Sequence, residues 1–340
     1  MPALSRARRP PASTVRMEDV ARAAGVSMVT VSRALNAPEK LAPATLSAVR
    51  AAIERLRYVP NLTAGSLASN RSRIVGAIVP TIANSIFSDT IDGLAQALAP
   101  HRYQLLLGQT QYLDKDEAEL VDAFLGRRVD GLILTGVKHA RGVRARLQRA
   151  AVPVVETWDL TPRPIDMVVG FSNRAAGQAA ARYLAGKGYR TLAFIGGQDD
   201  RSAARLEGFR LGARECGVDE VTAVSMPSPS SLTDGSSALA DLLRRARLPR
   251  AVFCTNDMLA AGALFECQRR HIPVPGRMAV MGFADLPIAA GIEPALTSVQ
   301  VRSTQMGQRA GEMLLRRLSG ESQSERIVDL GFAVVERASA

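Results

Sequence analysis

The stretch EDVARAAGVSMVTVSRALN, residues 18–36, decides the first part of the fold. Val20, Ala21 and Ala24 recur at helical spacing, Gly25 interrupts them, and Val26, Val31, Ala34 and Leu35 resume the period. Spacings of three and four put each set on one helix face. Glycine tolerates the left-handed backbone that a tight turn between two helices needs, and Ser27 carries a hydroxyl suited to capping the second helix. Met28 and Val29 then fall in that helix's first turn, where a helix serving only its own core would carry polar residues. PATLSAVRAAIERLRY, residues 43–58, supplies a third helix, with Pro43 in its first turn and Leu46, Val49, Ile53 and Leu56 facing inward. Together these segments predict a helix-turn-helix with a supporting helix. In such a module the second helix enters the major groove of duplex DNA, its first residues on base edges.

That placement answers why two large apolar residues open the helix. Met28 and Val29 point at bases, where apolar side chains pack on thymine methyl groups, and Arg33, one turn on, reaches a guanine O6/N7 pair. Ser27, Thr30, Ser32 and Asn36 suit phosphates or further base edges. Charge agrees with this reading. The chain of 340 residues has 43 Lys+Arg against 32 Asp+Glu, a net +11, and residues 1–73 hold +8 of it. A basic small module beside a nearly neutral large one is expected to meet a polyanion. A basic disordered tail would account for Arg6, Arg8 and Arg9 alone, but the remaining cations lie among periodic apolar positions.

After residue 73 the pattern changes. RIVGAIVP, YQLLLGQT, DGLILTG, VPVVETW, DMVVGFS, TLAFIGG, AVFCTN, MAVMGF and TSVQV are short apolar or β-branched runs separated by helical segments such as SIFSDTIDGLAQALA and NRAAGQAAARYLAGKG. Strand and helix alternating this often predict parallel sheets wound by helices. Nine or ten strands exceed one compact sheet and imply two similar lobes with a cleft between them. Enzyme motifs of such folds are missing: there is no GxxxxGK[ST], no GxGxxG after the first strand, and no GxSxG elbow. Asp114, Asp116, Glu117 and Glu119 lie on one predicted helix and read as a solvated face. Cys216, Cys254 and Cys267, with no CxxC, fit a reducing cytosol. His101, His139 and His271 are far apart and read as ordinary surface or loop histidines without metal-ligand spacing. No apolar run approaches a membrane span, and the basic, Pro-rich start lacks the apolar centre of a secretory signal. Neither cofactor nor metal is expected, and the protein is expected in the cytoplasm.

DVARAAGVSMVTVSRALN, followed by RYVPNLTAGSLASNRSRIVGAIVP, resembles the lactose/galactose-repressor (LacI/GalR) family of bacterial transcription regulators. The resemblance continues through DGLILTG, SAARLEGFRLGA, FCTNDMLAAGAL, AVMGFAD and LTSVQV, in the family's order. It implies an α/β protein with an all-α headpiece, a hinge helix and a two-lobed core like that of periplasmic sugar-binding proteins. The implied boundaries are a tail at 1–15, the headpiece at 16–59, the hinge at 60–72 and the core at 73–340. Within the core, lobe 1 takes about 73–171 and 300–324, and lobe 2 about 172–299 and 325–340. The implied assembly is a homodimer on a pseudo-palindromic double-stranded DNA operator, released by a small effector. In the hinge, Asn61 is placed to cap a short helix and Leu67 to enter the minor groove; a plain flexible linker is the alternative. The sequence departs from the family at Arg16, where a capping Thr is usual, and at Ala284, where many members have an acid.

VPTIANSIFSDTIDGLAQAL, VVETWDL and DMVVGFSN are similar to the gluconate-repressor branch, which implies a sugar-acid effector, gluconate or its 6-phosphate. Ligands of parallel α/β lobes sit beyond the carboxyl ends of the strands. The loops there offer Asn84, Glu156, Trp158, Ser172, Asn173, Arg205, Asn256 and Asp285, with Phe87 nearby. Arg205, in SAARLEGF, matches the family's effector-binding arginine, and a guanidinium suits a carboxylate. Trp158 is expected to stack on a sugar chain, while Asn256, Asp285 and Glu156 take hydroxyls. Taken singly, each polar residue is equally suited to capping a loop. A periplasmic-type binding protein would share the lobes but not the headpiece, and a sugar-acid enzyme would need the motifs that are missing.

Overall fold

A computed structural model describes residues 15–59, 71–82, 85–245, 248–321 and 325–340. They fall into two compact units, one within 1–70 and one within 71–340.

The first unit is helical: α1 (Met17–Ala24), α2 (Met28–Asn36) and α3 (Pro43–Leu56). Val20, Val31 and Val49, each fully buried, meet in a small core closed by Ala21, Ala52 and Tyr58. In α3 the inward stripe is Val49 and Ala52, with Ile53 and Leu56 only partly covered. Gly25 makes the turn at φ +67°, directing its N–H back to the carbonyls of Ala21 and Arg22. Ser27 Oγ accepts the Thr30 N–H at 3.2 Å and starts α2. Arg16 has no acceptor with which to cap α1, and the helix is closed from inside instead: the Arg16 N–H donates to Asp19 Oδ2 at 2.9 Å.

The second unit holds two six-stranded sheets. The first contains β1 (Ile74–Val79), β2 (Gln104–Gln109), β3 (Gly131–Thr135), β4 (Val154–Thr157), β5 (Met167–Gly170) and β11 (Ile327–Asp329). Its order is β11-β5-β4-β3-β1-β2, all parallel. The second contains β6 (Leu192–Gly197), β7 (Val221–Met226), β8 (Ala251–Cys254), β9 (Ala279–Ala284), β10 (Thr297–Val301) and β12 (Phe332–Val335). Its order is β12-β10-β9-β8-β6-β7, parallel except for β10/β12. Strands buried on both faces explain the continuous apolar runs of the sequence. β7, β11 and β12 add to the runs read as strands.

The helices that matter for the site are α4 (Ser88–Leu98), α5 (Asp114–Gly126), α6 (Val143–Ala150), α7 (Asn173–Gly186), α8 (Asp200–Glu215), α9 (Leu232–Leu242), α10 (Asp257–Arg269), α11 (Pro287–Gly291) and α12 (Ser303–Leu318). α7 and α8 touch backbone to backbone. A Cβ on Gly177 would lie 2.0 Å from the Arg205 carbonyl, and one on Gly208 would lie 1.8 Å from that of Arg174. Any side chain at either position would push α8 away and move Arg205 with it.

The chain passes between sheets three times: β5 to β6, β10 to β11, and β11 to β12. The second passage follows Val301 and the third lies at Leu330–Gly331, so the division of the C-terminal segment differs from the expected 299/300 and 324/325. β11 pairs with β5, which keeps 327–329 in the first lobe. The C-terminus is tied into the second lobe, where Ser339 Oγ donates to the Val280 carbonyl at 2.6 Å and Tyr183 donates to that of Ala340 at 3.0 Å. No described helix is long and apolar enough to cross a membrane.

Candidate nucleic-acid interface and ligand cleft

In the headpiece, the first turn of α2 presents Met28 at 49% and Val29 at 64% exposure, although the same helix buries Val31 completely. The side chains at 28 and 29 therefore face outward while 31 holds the core. Arg33 is exposed on the same helix. Ser27 and Thr30 hydroxyls are 2.9 Å apart, so the cap also fixes the first polar pair of the turn. Ser32 is half-buried, and Asn36 is the last residue of the helix. Exposed apolar side chains at a capped helix start are what a major-groove reader needs and what a solvated helix avoids. Asn61 and Leu67 lie outside the described residues, as does Asn84 of the expected effector set.

Two hollows of the core, among the described residues, are large enough to matter for a ligand. The larger, about 770 Å³, lies at the amino ends of β1 and β2, among Arg71, Arg73, Tyr103 and Arg316. The other, about 510 Å³, lies at the carboxyl ends, lined by Thr110, Tyr112, Thr135, Lys138 and Asp159 of the first lobe and by Asp199, Asp200, Arg201 and Ser225 of the second. Parallel sheets bind ligands at their carboxyl ends, where loops from both sheets converge, so the smaller hollow is the candidate cleft.

Behind it sits a compact cluster. Arg205 is 5% exposed, its Nη1 donates to Asn173 Oδ1 at 2.5 Å, and its guanidinium lies 4.3 Å from the Phe283 ring centroid. Its Nε has no acceptor among the described residues. Burial pulls the Arg205 pKa down to about 10, against the attraction of Asp199, and Arg201 pushes it the same way. Asn173 Nδ2 in turn donates to the Trp158 carbonyl at 2.8 Å. Phe87, Trp158, Asn173 and Arg205 of the expected set are thus brought together.

Trp158 and the remaining described members of that set are also engaged within the protein. Trp158, at 1% exposure, packs edge-on against Phe87 and Phe171 and donates from Nε1 to Thr90 at 3.1 Å. Its ring is part of the core. Ser172 caps α7 through the Ala175 N–H, and Asn256 caps α10 through the Leu259 N–H at 2.7 Å. Asp285 pairs with Arg337 at 2.6 Å and accepts from Gln300. None of the described members of the expected set lines the open hollow itself.

Glu156 is held elsewhere, in a buried bridge that no local sequence pattern marks. His139 Nδ1–H donates to Glu117 at 2.7 Å and Nε2–H to Glu156 at 3.0 Å. Glu117 also accepts the Ala140 N–H, and Glu156 the Ile165 N–H, both at 2.6 Å. Burial opposes a charge on His139, but the two carboxylates outweigh it and hold its pKa up to about 9. His139 is therefore not a surface histidine, and Glu117 is not part of a solvated face. Their separation in sequence hid a contact made only when α5, the β3 loop and β4 come together. Beside the second sheet, Asp257 is also fully buried, accepting from Ser298 and the Leu286 N–H; burial raises its pKa to about 7.

A headpiece that exposes apolar residues from a capped helix, joined in one chain to a two-lobed α/β core with a cation behind its cleft, defines a ligand-responsive DNA-binding regulator. Known proteins agree. Residues 16–61 match the model of bacterial regulatory proteins of the lacI family, and 181–340 match a periplasmic binding protein-like domain. The HTH-type transcriptional regulator GntR of Pseudomonas aeruginosa is 37% identical over 325 residues, covering 95% of each chain, and that of Escherichia coli K12 is 34% identical over 94% of this chain and 96% of its own. A Lacl family regulator from Silicibacter pomeroyi superposes with a TM-score of 0.87 at 32% identity, covering 96% of this chain and 99% of its own. The structure of GntR from Chromobacterium violaceum gives 0.76 at 36% identity over 78% of this chain and 98% of its own. The chain belongs to the LacI family of bacterial transcriptional regulators, and these relatives are regulators rather than enzymes.

Proposed function

We propose that this regulator is a repressor of sugar-acid catabolism genes that leaves its operator when a sugar acid, gluconate or its 6-phosphate, enters the cleft. The observation that carries the reading is Arg205: a buried cation with an unsatisfied Nε and no carboxylate bonded to it, lying behind the hollow between the two lobes. A charge so placed is costly unless an anion arrives to meet it. Two relatives that cover most of this chain bear the name GntR, in line with the gluconate-type branch. Ligand binding then favours one lobe arrangement over the other, and DNA affinity follows the shift.

On the DNA side the reading assigns Met28, Val29 and Arg33 to bases and Ser27, Thr30, Ser32 and Asn36 to phosphates or further base edges. Two copies of the chain bind a pseudo-palindromic operator, with Asn61 capping a hinge helix and Leu67 wedged into the minor groove. Asn84, Ser172, Asn256 and Asp285 act from the cleft rim when the lobes rearrange. Trp158 reports occupancy from behind, through its edge contacts with Phe87 and Phe171. The test is a fluorescence titration of the whole protein with gluconate, 6-phosphogluconate, glucose and sorbitol. A saturable change with an acid and none with the neutral sugars supports the reading; saturation by glucose or sorbitol alone overturns it.

A further inference from the structure

The first turn of α8 reaches across the cleft. Arg201 belongs to the second lobe, yet its guanidinium lies over two rings of the first, 5.6 Å from the Phe87 centroid and 5.9 Å from that of Tyr112. Its Nη1 donates to the Thr135 carbonyl, at the end of β3, at 3.4 Å. The neighbouring Asp200 pairs with Lys138 of the first lobe at 2.8 Å. Two adjacent residues thus span the lobes, but they are unequal. Asp200 and Lys138 neutralise each other at an exposed rim, where such a pair contributes little. Arg201 has no carboxylate bonded to it; it rests on a neutral carbonyl at the long limit of a hydrogen bond and on two ring faces.

Arg201 and Arg205 are four residues apart on one helix, so their side chains are neighbours on one face. Arg201 lines the cleft and Arg205 lies buried behind it, and neither has an acidic hydrogen-bond partner. Arg205 is fixed by Asn173 and Phe283 inside the second lobe, whereas the contacts of Arg201 lie in the first. A carboxylate entering between the lobes meets a stationary guanidinium and one that already touches the opposite wall. Charge-assisted bonds are stronger than the contact Arg201 makes with a neutral carbonyl.

We infer that Arg201 is a second specificity-determining residue of the cleft, joining Arg205 on the ligand's acid group and coupling that group to the first lobe through Phe87, Tyr112 and Thr135. This rests on the sugar-acid reading above for the ligand, but the lobe contact itself does not.

The test therefore has two arms on the full-length protein, with Arg201→Gln and the conservative Arg201→Lys. In the ligand-free arm, small-angle scattering and Trp158 emission are compared with wild type at matched melting behaviour. Arg201→Gln should open the lobes and shift the emission, since it loses the contact on Phe87, the ring against which Trp158 packs. In the ligand arm, calorimetric titration uses five- and six-carbon aldonates, uronates and their neutral polyols. Whichever acid the wild type takes, Arg201→Gln should bind it roughly ten- to a hundredfold more weakly, with a smaller preference over the polyol, and Arg201→Lys should keep part of that preference. Unchanged scattering and emission overturn the inference, as does a Gln variant that binds the acid as wild type does. A wild type that takes none of the acids refutes the sugar-acid reading alone, and the ligand-free arm then decides the role of Arg201.

Discussion

Two helix starts, those of α2 and α8, invert the ordinary rule of burial in opposite directions. α2 is capped by Ser27 and leaves Met28 and Val29 half or more exposed. α8 is capped by Asp199, whose carboxylate accepts the Ser202 N–H at 3.1 Å, and its second turn buries the guanidinium of Arg205. An exposed apolar pair and a buried cation both leave free energy unrealised in the isolated chain, and each is relieved by a different kind of partner. The apolar pair calls for a surface with methyl groups in reach. The cation calls for an anion inside a dry site. The comparison also shows how differently the two sites are built. The first is local, contained within ten residues of one helix. The second needs residues from both sheets and survives only because Gly177 and Gly208 let two helices touch.

The largest expected effect falls on the cleft. Replacing Arg205 with Met should weaken binding of the acid effector by about 2–5 kcal/mol, as when one partner of a desolvated charge pair is removed. Ligand-free stability should move by less than about 1 kcal/mol, because relief of a buried charge offsets the lost Asn173 and Phe283 contacts. Calorimetry and urea unfolding of the same preparation measure both. A stability loss as large as the binding loss would make Arg205 a structural residue and break the comparison.

The His139 bridge sharpens the same side. Its pKa is raised from 6.5 to about 9 in the folded protein. Below about pH 6.5 the ring is charged folded or unfolded, and the bridge contributes in full. As pH rises the unfolded chain loses the proton first, and the contribution fades as pH passes 9. Relative to His139→Gln, wild type should lose on the order of 2–3 kcal/mol of unfolding free energy between pH 6 and 10. A difference that stays constant with pH would show that the ring is not held protonated.

On the headpiece side, Arg33→Ala should cost roughly 1–3 kcal/mol on the operator and less on random DNA at the same salt concentration. Equal losses would make Arg33 a phosphate contact. Smallest of all, Ser27→Ala should lower headpiece stability by about 1 kcal/mol by leaving the Thr30 N–H uncapped. Thermal melting of the headpiece transition checks it, and no change would mean that water replaces the hydroxyl without cost.

These differences also mark what could be read from sequence. The headpiece was legible because each of its devices acts over three or four residues: the αL turn at Gly25, the Ser27 cap, and the apolar spacing within each helix that turns Val20, Val31 and Val49 inward. Even there the Arg16 departure pointed only to a missing cap, and the closing of α1 by Asp19 from inside the helix was not read. The two-lobed core was legible from its repeated apolar runs, but β7 is half-exposed and β11 and β12 are short edge strands, so none stands out as a run. The cleft was legible only as a set of loops. Which loop residues face the hollow depends on strand register and helix rotation, so caps such as Ser172 and Asn256 could not be told from contacts. Arg201, Lys138 and Tyr112 carried no motif, and His139 found its two glutamates across 22 and 17 residues.

The claim that joins the two helix starts is that an acid in the cleft governs DNA affinity at the headpiece. The most direct measurement is the fluorescence anisotropy of a labelled operator fragment, selected from genomic DNA by this protein, titrated with full-length wild type at fixed salt with gluconate, 6-phosphogluconate or sorbitol present. The account predicts that at least one of the two acids weakens operator binding in a saturable way and that sorbitol has no effect. Operator binding unchanged by both acids, or weakened equally by sorbitol, would contradict it.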